Sequence, residues 1–295
     1  MRVTLRQLLV FDAIARAGSV SRAAEEIGLT QSSASASLQD LETSLGVELF
    51  TRSRRRLVLN ENGRRLHPKA RSMLTQAVDL ESSAVGGALQ GTLRVGAGSA
   101  IGGYVLPRIC SAFLTLHPQV RIDLMVLPSR QVLDGLASIQ LDVGVVEFPI
   151  NRPRMNITPW LTDSLIIVAA KGHHLAAKRS IRIPELQEET WFLQKTDSSV
   201  RVMFTTAILK QLGALKIGLE TGSLPALKRA VASGTGIGCL SKHVVERELL
   251  SGELVELKVR GFAIQRQFMI ATSKEIYQGQ LQNEFVKFAA HPPQP

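Results

Sequence analysis

Apolar residues recur at three- and four-residue intervals through the first 84 positions, and in short unbroken or alternating runs after them. The first period is that of helices with one buried stripe. Over 5–17 it turns Leu8, Phe11, Ile14 and Ala15 inward, and Gly18 ends the run. Ser21 is the expected N-cap of a second helix whose buried positions are Ala23, Ala24 and Ile27, with Gly28 closing it in the left-handed conformation. Thr30 is placed to cap a third, with Ala34, Leu38, Leu41 and Leu45 on its stripe. The opposite face of that third helix reads Gln31, Ser32, Ser33, Ser35, Ser37, Gln39. Small hydroxyl and amide side chains let a helix lie deep in a groove and hydrogen-bond base edges, which is the composition of a helix-turn-helix recognition helix.

Gly46 breaks the third helix, and two short β-rich runs, 48–51 and 57–59, flank Ser53-Arg54-Arg55-Arg56, predicting a two-stranded wing with an arginine tip. Asn60-Glu61-Asn62-Gly63 reads as a short turn. From Arg64 to about Ala88, Leu66, Ala70, Met73, Ala77, Leu80 and Ala84 keep alternating four- and three-residue spacing, the seam of a coiled coil, with Pro68 near its start. Such a seam needs a second helix, so a dimer carrying two DNA-reading units is expected.

Past Gly86-Gly87 and Gln90-Gly91 the pattern becomes strand, helix, strand: 93–96, a helix from Ile101 to Leu116, 120–126, a helix after Ser129, then 142–146. This predicts a parallel sheet covered by helices. A second series follows with 165–169, a helix near 200–212, 217–219, a helix over 224–232, 237–240 and 254–257. A strand at 268–271 and a helix near 278–289 return to the first series. The expected architecture is α/β: a winged helix-turn-helix over 1–63, a linker (dimerisation) helix over 64–90, and a two-lobed domain over 91–295, with lobe I at about 91–162 and 268–295 and lobe II at about 163–267. Ligands of such folds bind where strands end and helices begin. The residues at those ends are Ser99, Ala100, Ile101, Ser129, Glu147, Ser198, Ser199, Arg201 and Ser223. Hydroxyls and free N–H groups at converging helix N-termini suit a small anion, although any one Ser also has the simpler use of capping its own helix.

A net charge of +10 fits a polyanion partner, and its placement says more: eight Lys and Arg stand between Arg52 and Arg71 against Glu61 alone. The expected DNA-contacting set is Ser21, Thr30, Gln31, Ser32, Ser33, Ser35, Arg52, Arg54, Arg55 and Arg56. No apolar run reaches membrane-spanning length and the start lacks a cleavable leader pattern, so a cytoplasmic protein without a membrane partner is expected. Cys110 and Cys239 are far apart, with no His or Cys at ligand spacing, and read as inert buried thiols; no metal site is expected.

On the run Leu5-Arg6-Gln7-Leu8, Phe11, Gly18-Ser19, Ser21-Arg22-Ala23-Ala24, Gln31-Ser32, Ser35, Leu41-Glu42, Leu45-Gly46, Leu49-Phe50, Arg52, Leu59 and Gly63, the chain resembles the LysR-type transcriptional regulators, over essentially its whole length. That family usually has Pro-Ala-Val where Ser32-Ser33-Ala34 stands here, which leaves the helix start less fixed. The resemblance implies a homodimer or dimer of dimers, binding to double-stranded promoter DNA, and a periplasmic-binding-protein-like effector domain without a catalytic role or a cofactor. RNA polymerase is a further candidate partner. Ser99-Ala100-Ile101-Gly102 and Gly234-Thr235-Gly236-Ile237-Gly238 look most like the branch regulating sulfur assimilation and carbon fixation.

The competing class is a ligand-binding α/β protein or enzyme with a basic nucleic-acid-binding arm. Gly96 to Gly102 lacks dinucleotide-fingerprint spacing, and the strand ending Val126-Leu127-Pro128 offers no carboxylate for a ribose. No nucleophile-elbow sequence surrounds any Ser, and the six His lie mostly beside Pro or in polar turns. The expected function is sequence-specific transcriptional regulation modulated by a small, anionic metabolite.

Overall fold

The computed structural model describes residues 2–53, 56–84, 88–147 and 152–291. Three helices, α1 (Leu5–Ala17), α2 (Val20–Glu26) and α3 (Gln31–Leu45), are followed by the hairpin β1 (Phe50–Ser53) and β2 (Arg56–Leu59) and by the long helix α4 (Glu61–Ala84). Thr4 and Gln7 form a capping box on α1, and Gly18 ends it with φ 63°. The α2 N-cap is Ser19, not Ser21, which lies within the helix and is exposed. Thr30 caps α3 by accepting the Ser33 N–H (3.2 Å), so its start is held without the family's proline. One core, built on Phe11, Ile14, Leu41 and Leu49, unites these elements. The wing is tied in by Leu57 N–H donating to Gly18 O (3.0 Å).

The linker helix begins earlier than its periodicity suggests. Asn60 Oδ1 accepts the Gly63 N–H (2.9 Å), so 61–63 form its first turn and Pro68 falls inside it. Gly63 is required there, because a Cβ would meet Leu49 O at 2.2 Å. Leu66 and Ala70 pack into the head, whereas Met73 is 46% exposed and Leu80 73%.

The remaining elements are β3 (Gly91–Ala97), a π-helical turn (Ile101–Val105), α5 (Leu106–Leu116), β4 (Val120–Val126), α6 (Ser129–Ala137), β5 (Val143–Val146), β6 (Met155–Ala170), β7 (Ile181–Arg182), β8 (Thr190–Gln194), α7 (Ser199–Leu212), β9 (Lys216–Thr221), α8 (Leu224–Ala232), β10 (Ile237–Ser241), α9 (Lys242–Ser251), β11 (Leu254–Glu256), β12 (Val259–Arg260), β13 (Ile264–Ser273) and α10 (Gln280–Ala290). The main sheet runs β4-β3-β5-β13-β6-β10-β8-β9, with β11 beside β6. It is mixed, not wholly parallel: β3, β4 and β5 are parallel, but β13 runs antiparallel to β5 and to β6. The antiparallel pair β6 and β13 crosses between two lobes. Lobe I has α5 and α10 over one face around Phe113 and Phe285, and α6 over the other around Leu133 and Leu136. Lobe II has α7 on one side, around Trp191 and Phe204, and α8 and α9 on the other.

Candidate DNA-binding face and inter-lobe cleft

On α3, Ala34, Leu38 and Leu41 are buried while Gln31, Ser32, Ser33 and Ser35 are exposed, so the polar face is free along its first turns. Thr30, also exposed, donates to Ser33 Oγ (2.8 Å). Arg52 and Arg56 are exposed on the two wing strands; Arg54 and Arg55 lie outside the described residues. Among the described residues no helix is long and apolar enough to cross a membrane.

A cleft of about 460 Å³ opens between the lobes. Lobe I lines it with Gly98, Ser99 and Ala100 after β3, with Ser129 and Arg130 at the start of α6, and with Glu147 after β5. Lobe II contributes Gln194, Lys195, Ser198 and Ser199 ahead of α7, and Ser241 at the end of β10. Six of the nine residues singled out from the sequence therefore meet here: Ser99, Ala100, Ser129, Glu147, Ser198 and Ser199. Three do not line it. Ile101 is fully buried in the lobe I core. Arg201 points toward β9, where it pairs with Glu220 (2.9 Å). Ser223 caps α8, accepting the Ala226 N–H (3.3 Å).

The helix ends in the cleft differ from the α8 end. No side chain among the described residues caps α6, which starts after Pro128, or α7, whose N-cap Ser198 instead donates to Gln194 Oε1 (2.6 Å). First-turn N–H groups left without a capping side chain, at the positive end of a helix dipole, favour an anion.

Behind these hydroxyls lies a network that sequence reasoning missed. Arg266 on β13 donates through Nε to Asp163 (2.7 Å) and through Nη1 to Glu147 (2.9 Å). Ser199 Oγ donates to the same Glu147 oxygen, linking the lobes, and Ser241 Oγ donates to Asp163 (2.8 Å). Arg266 Nη2 is buried without a hydrogen-bond partner among the described residues. The available signal was strand parity: Arg266 shares an alternation with Ile264, Phe268 and Ile270, and a cation on the buried side of a strand requires carboxylates.

Both cysteines are free and buried, Cys110 in lobe I and Cys239 in lobe II, and burial pushes the Cys110 thiol up to about 11 and Cys239 higher still. His173, His174 and Glu189 converge on lobe II outside the cleft. The Leu175 N–H donates to His173 Nδ1 (3.3 Å), so the neutral ring carries its proton on Nε2, facing Glu189 (3.4 Å). His174 Nε2 lies 2.9 Å from the other Glu189 oxygen, so the carboxylate stands between the two rings.

Comparison with known proteins bears on both regions. Residues 5–64 match the family described as bacterial regulatory helix-turn-helix protein, lysR family, and residues 86–291 match the LysR substrate binding domain. An uncharacterized HTH-type transcriptional regulator of Escherichia coli K12, YeiE, is 37% identical over 259 residues, covering 88% of this chain and 87% of its own. The RuBisCO operon transcriptional regulator of Allochromatium vinosum is 30% identical, covering 92% and 90%. Among solved structures, a full-length OxyR variant from Pseudomonas aeruginosa superposes with TM-score 0.73 at 22% identity over 100% of both chains. The CcmR regulatory domain of Synechocystis, in complex with 2-PG, gives TM-score 0.61 at 26% identity over 68% of this chain and 96% of that one.

Proposed function

The chain is a member of the LysR family of DNA-binding transcriptional regulators with a C-terminal effector-binding domain, and we propose that it acts as a cytoplasmic homodimer or dimer of dimers whose grip on promoter DNA is set by a small anion in the inter-lobe cleft. The observation that carries the anion is the pair of helix N-termini, α6 and α7, that face the cleft without capping side chains, with Ser129, Ser198 and Ser199 beside them. Ser198, at the N-cap of α7, does not bond its own helix as Ser223 does at α8, and Ser129 and Ser199 stand one residue past the caps. A small molecule in the corresponding domain of CcmR supports the same reading. No metal, cofactor or catalytic step is part of it. Arg266 offsets Glu147, and an effector oxygen that carries a proton can donate to the remaining Glu147 oxygen.

Isothermal titration with sulfate, sulfite, phosphate and short phosphorylated acids tests this. At least one anion should bind, and Ser129→Ala should weaken it about tenfold, the effect of one hydrogen bond to a charged group. No heat with any of them, or binding unchanged by Ser129→Ala, overturns the reading.

The dimer is carried by the second half of the linker seam, where Met73, Leu80 and Ala84 are exposed and Ala77 is half-buried. Two recognition helices then read two half-sites, Gln31 and Ser33 discriminating bases and the wing arginines holding phosphates. Effector binding draws the lobes together about the crossing strands and changes how dimers pair, and with it the spacing and bending of the DNA between half-sites, where RNA polymerase responds. If Arg56 lies along a phosphate, Arg56→Ala lowers the slope of log affinity against log salt by about 0.9 per site on every duplex sequence. A fluorescence-anisotropy titration across a salt series reads this slope, and an unchanged slope removes Arg56 from the interface. A gel shift comparing promoter duplex with RNA separates this reading from an RNA-holding arm.

A further inference from the structure

The DNA-binding head and linker helix are joined to lobe I by a closed ring of alternating charges. Asp12 on α1 is buried and takes Arg16 Nε (3.0 Å) and His67 Nε2 (2.9 Å). Arg71 on α4 stands between Asp12 (3.7 Å) and Asp142, which it meets at 2.9 Å. Asp142, just ahead of β5, uses its other oxygen for the Arg94 backbone N–H (2.8 Å). The Arg94 guanidinium reaches Glu26 at the end of α2 (3.3 Å), and Glu26 returns to Arg16 (2.6 Å).

Burial, which opposes the charged form of Asp12, is outweighed by His67, Arg71 and Arg16, and its carboxyl is held well below the usual carboxylate range. Its stabilising contribution is therefore complete above the ordinary carboxylate pKa and is lost only as pH falls through the depressed one. Ion pairs this far from solvent are screened less by salt than surface pairs.

Further along α4, Ser72 Oγ accepts the Tyr277 N–H (2.9 Å), and Asp79 accepts the Gln280 N–H at the start of α10 (3.1 Å). The chain passes so close at Gly279 that a Cβ there would meet Thr75 Cγ2 at 2.4 Å. The ring and the α10 cap thus grip the linker helix at two levels, about a turn or two apart. Asp142 is the one member of the ring that leads directly into the strand carrying Glu147 to the cleft: the four residues between them, β5, are all buried.

We propose that Asp142 is a positioning residue for DNA binding: by holding Arg71 and Arg94 together it fixes the head and linker helix on lobe I as one body, and so sets the angle at which α3 is offered to DNA. The inference rests on DNA binding and not on the anion reading, which can fail without touching it.

The test uses the full chain with spin labels on Thr43→Cys in α3 and Ser111→Cys in α5, both exposed positions, diluted with unlabelled chain; the native thiols are buried and escape labelling. Pulsed-EPR distances should be narrow in the wild type and broad in Asp142→Asn. Affinity for a duplex selected from a random-sequence pool by the wild-type chain should fall about tenfold as the head loses its fixed orientation. Asp142→Glu, which keeps the charge, should restore both. A narrow distribution in Asp142→Asn, or a broad one with unchanged affinity, overturns the proposal. Should Asp142→Asn fail to fold, Glu26→Gln decides: that carboxylate is 41% exposed, so its loss leaves the core intact. A broadened distance with weaker binding supports the proposal, and wild-type behaviour in both measurements overturns it.

Discussion

Leu80→Glu is expected to convert the protein to a monomer and to lower affinity for a duplex with two half-sites by about 10²- to 10⁴-fold, the range that linking two binding modules supplies. Leu80 is 73% exposed on α4, the most exposed large side chain of a seam whose first half is already used by its own head. An apolar side chain left so open on a regular seam is accounted for by a second copy of the helix, and a carboxylate there would set like charges facing each other across the pair. The variant should fold normally, because Leu80 makes no part of the cores of the chain itself. Affinity for a single half-site should stay within about twofold, since α3 is untouched, and this separates lost avidity from a damaged reading head. Sedimentation velocity alongside anisotropy checks both; a variant that sediments as the wild type does would show that the seam is not the contact.

Arg266→Met should cost about 3–5 kcal/mol, the cost of stripping one partner from a buried ion pair. Asp163 has no solvent exposure in its side chain and Arg266 only 2%, so the carboxylate cannot turn to water for compensation. Glu147 and the Ser199 bridge across the cleft lose their anchor with it, so anion binding should weaken alongside stability. Replacing both partners, Arg266→Met with Asp163→Asn, should recover the share of the loss that the stranded Asp163 carboxylate causes, while Glu147, only 10% exposed, stays without its cation. Thermal unfolding of the single and double variants measures the difference. Equal losses in both would mean that the Asp163 carboxylate is not the source of the loss.

The head was legible because its signals are local: Thr4, Gly18, Thr30 and Gly46 stop and start helices by their own backbone chemistry, within three or four residues. The differences there are equally local: Ser19 rather than Ser21 caps α2, and Leu45, in the last turn of α3, is 38% exposed rather than on the buried stripe. The crossing strand was less legible. Only 165–169 of β6 reads as a strand, because Pro159 and the polar Asp163 and Ser164 interrupt its first half. Pro159 is tolerated because it sits beside a bulge in β13, between Gln267 and Met269, on a stretch of β6 paired on one side alone. In the cleft, the hydroxyls could be read from their places at helix starts. Arg266 and Asp163 could not, since their bond joins residues 103 positions apart, and neither position advertises the other. The charge ring behind Asp142 was hidden for the same reason, with Arg71 and its partner 71 positions apart.

The order of the strands also bears on how the chain is made. Lobe II is a nearly continuous stretch inserted into lobe I, whereas β13 and α10, which complete lobe I, leave the ribosome only after lobe II. Until β13 arrives, β5 is paired with β3 alone and shows an open edge. Lobe II can close around Trp191 while lobe I still waits for Phe268 and Phe285. The nascent lobe I is therefore the portion that needs shelter from aggregation during translation, and a stall or truncation ahead of β13 would release a chain with a finished lobe II and a sticky, unfinished lobe I.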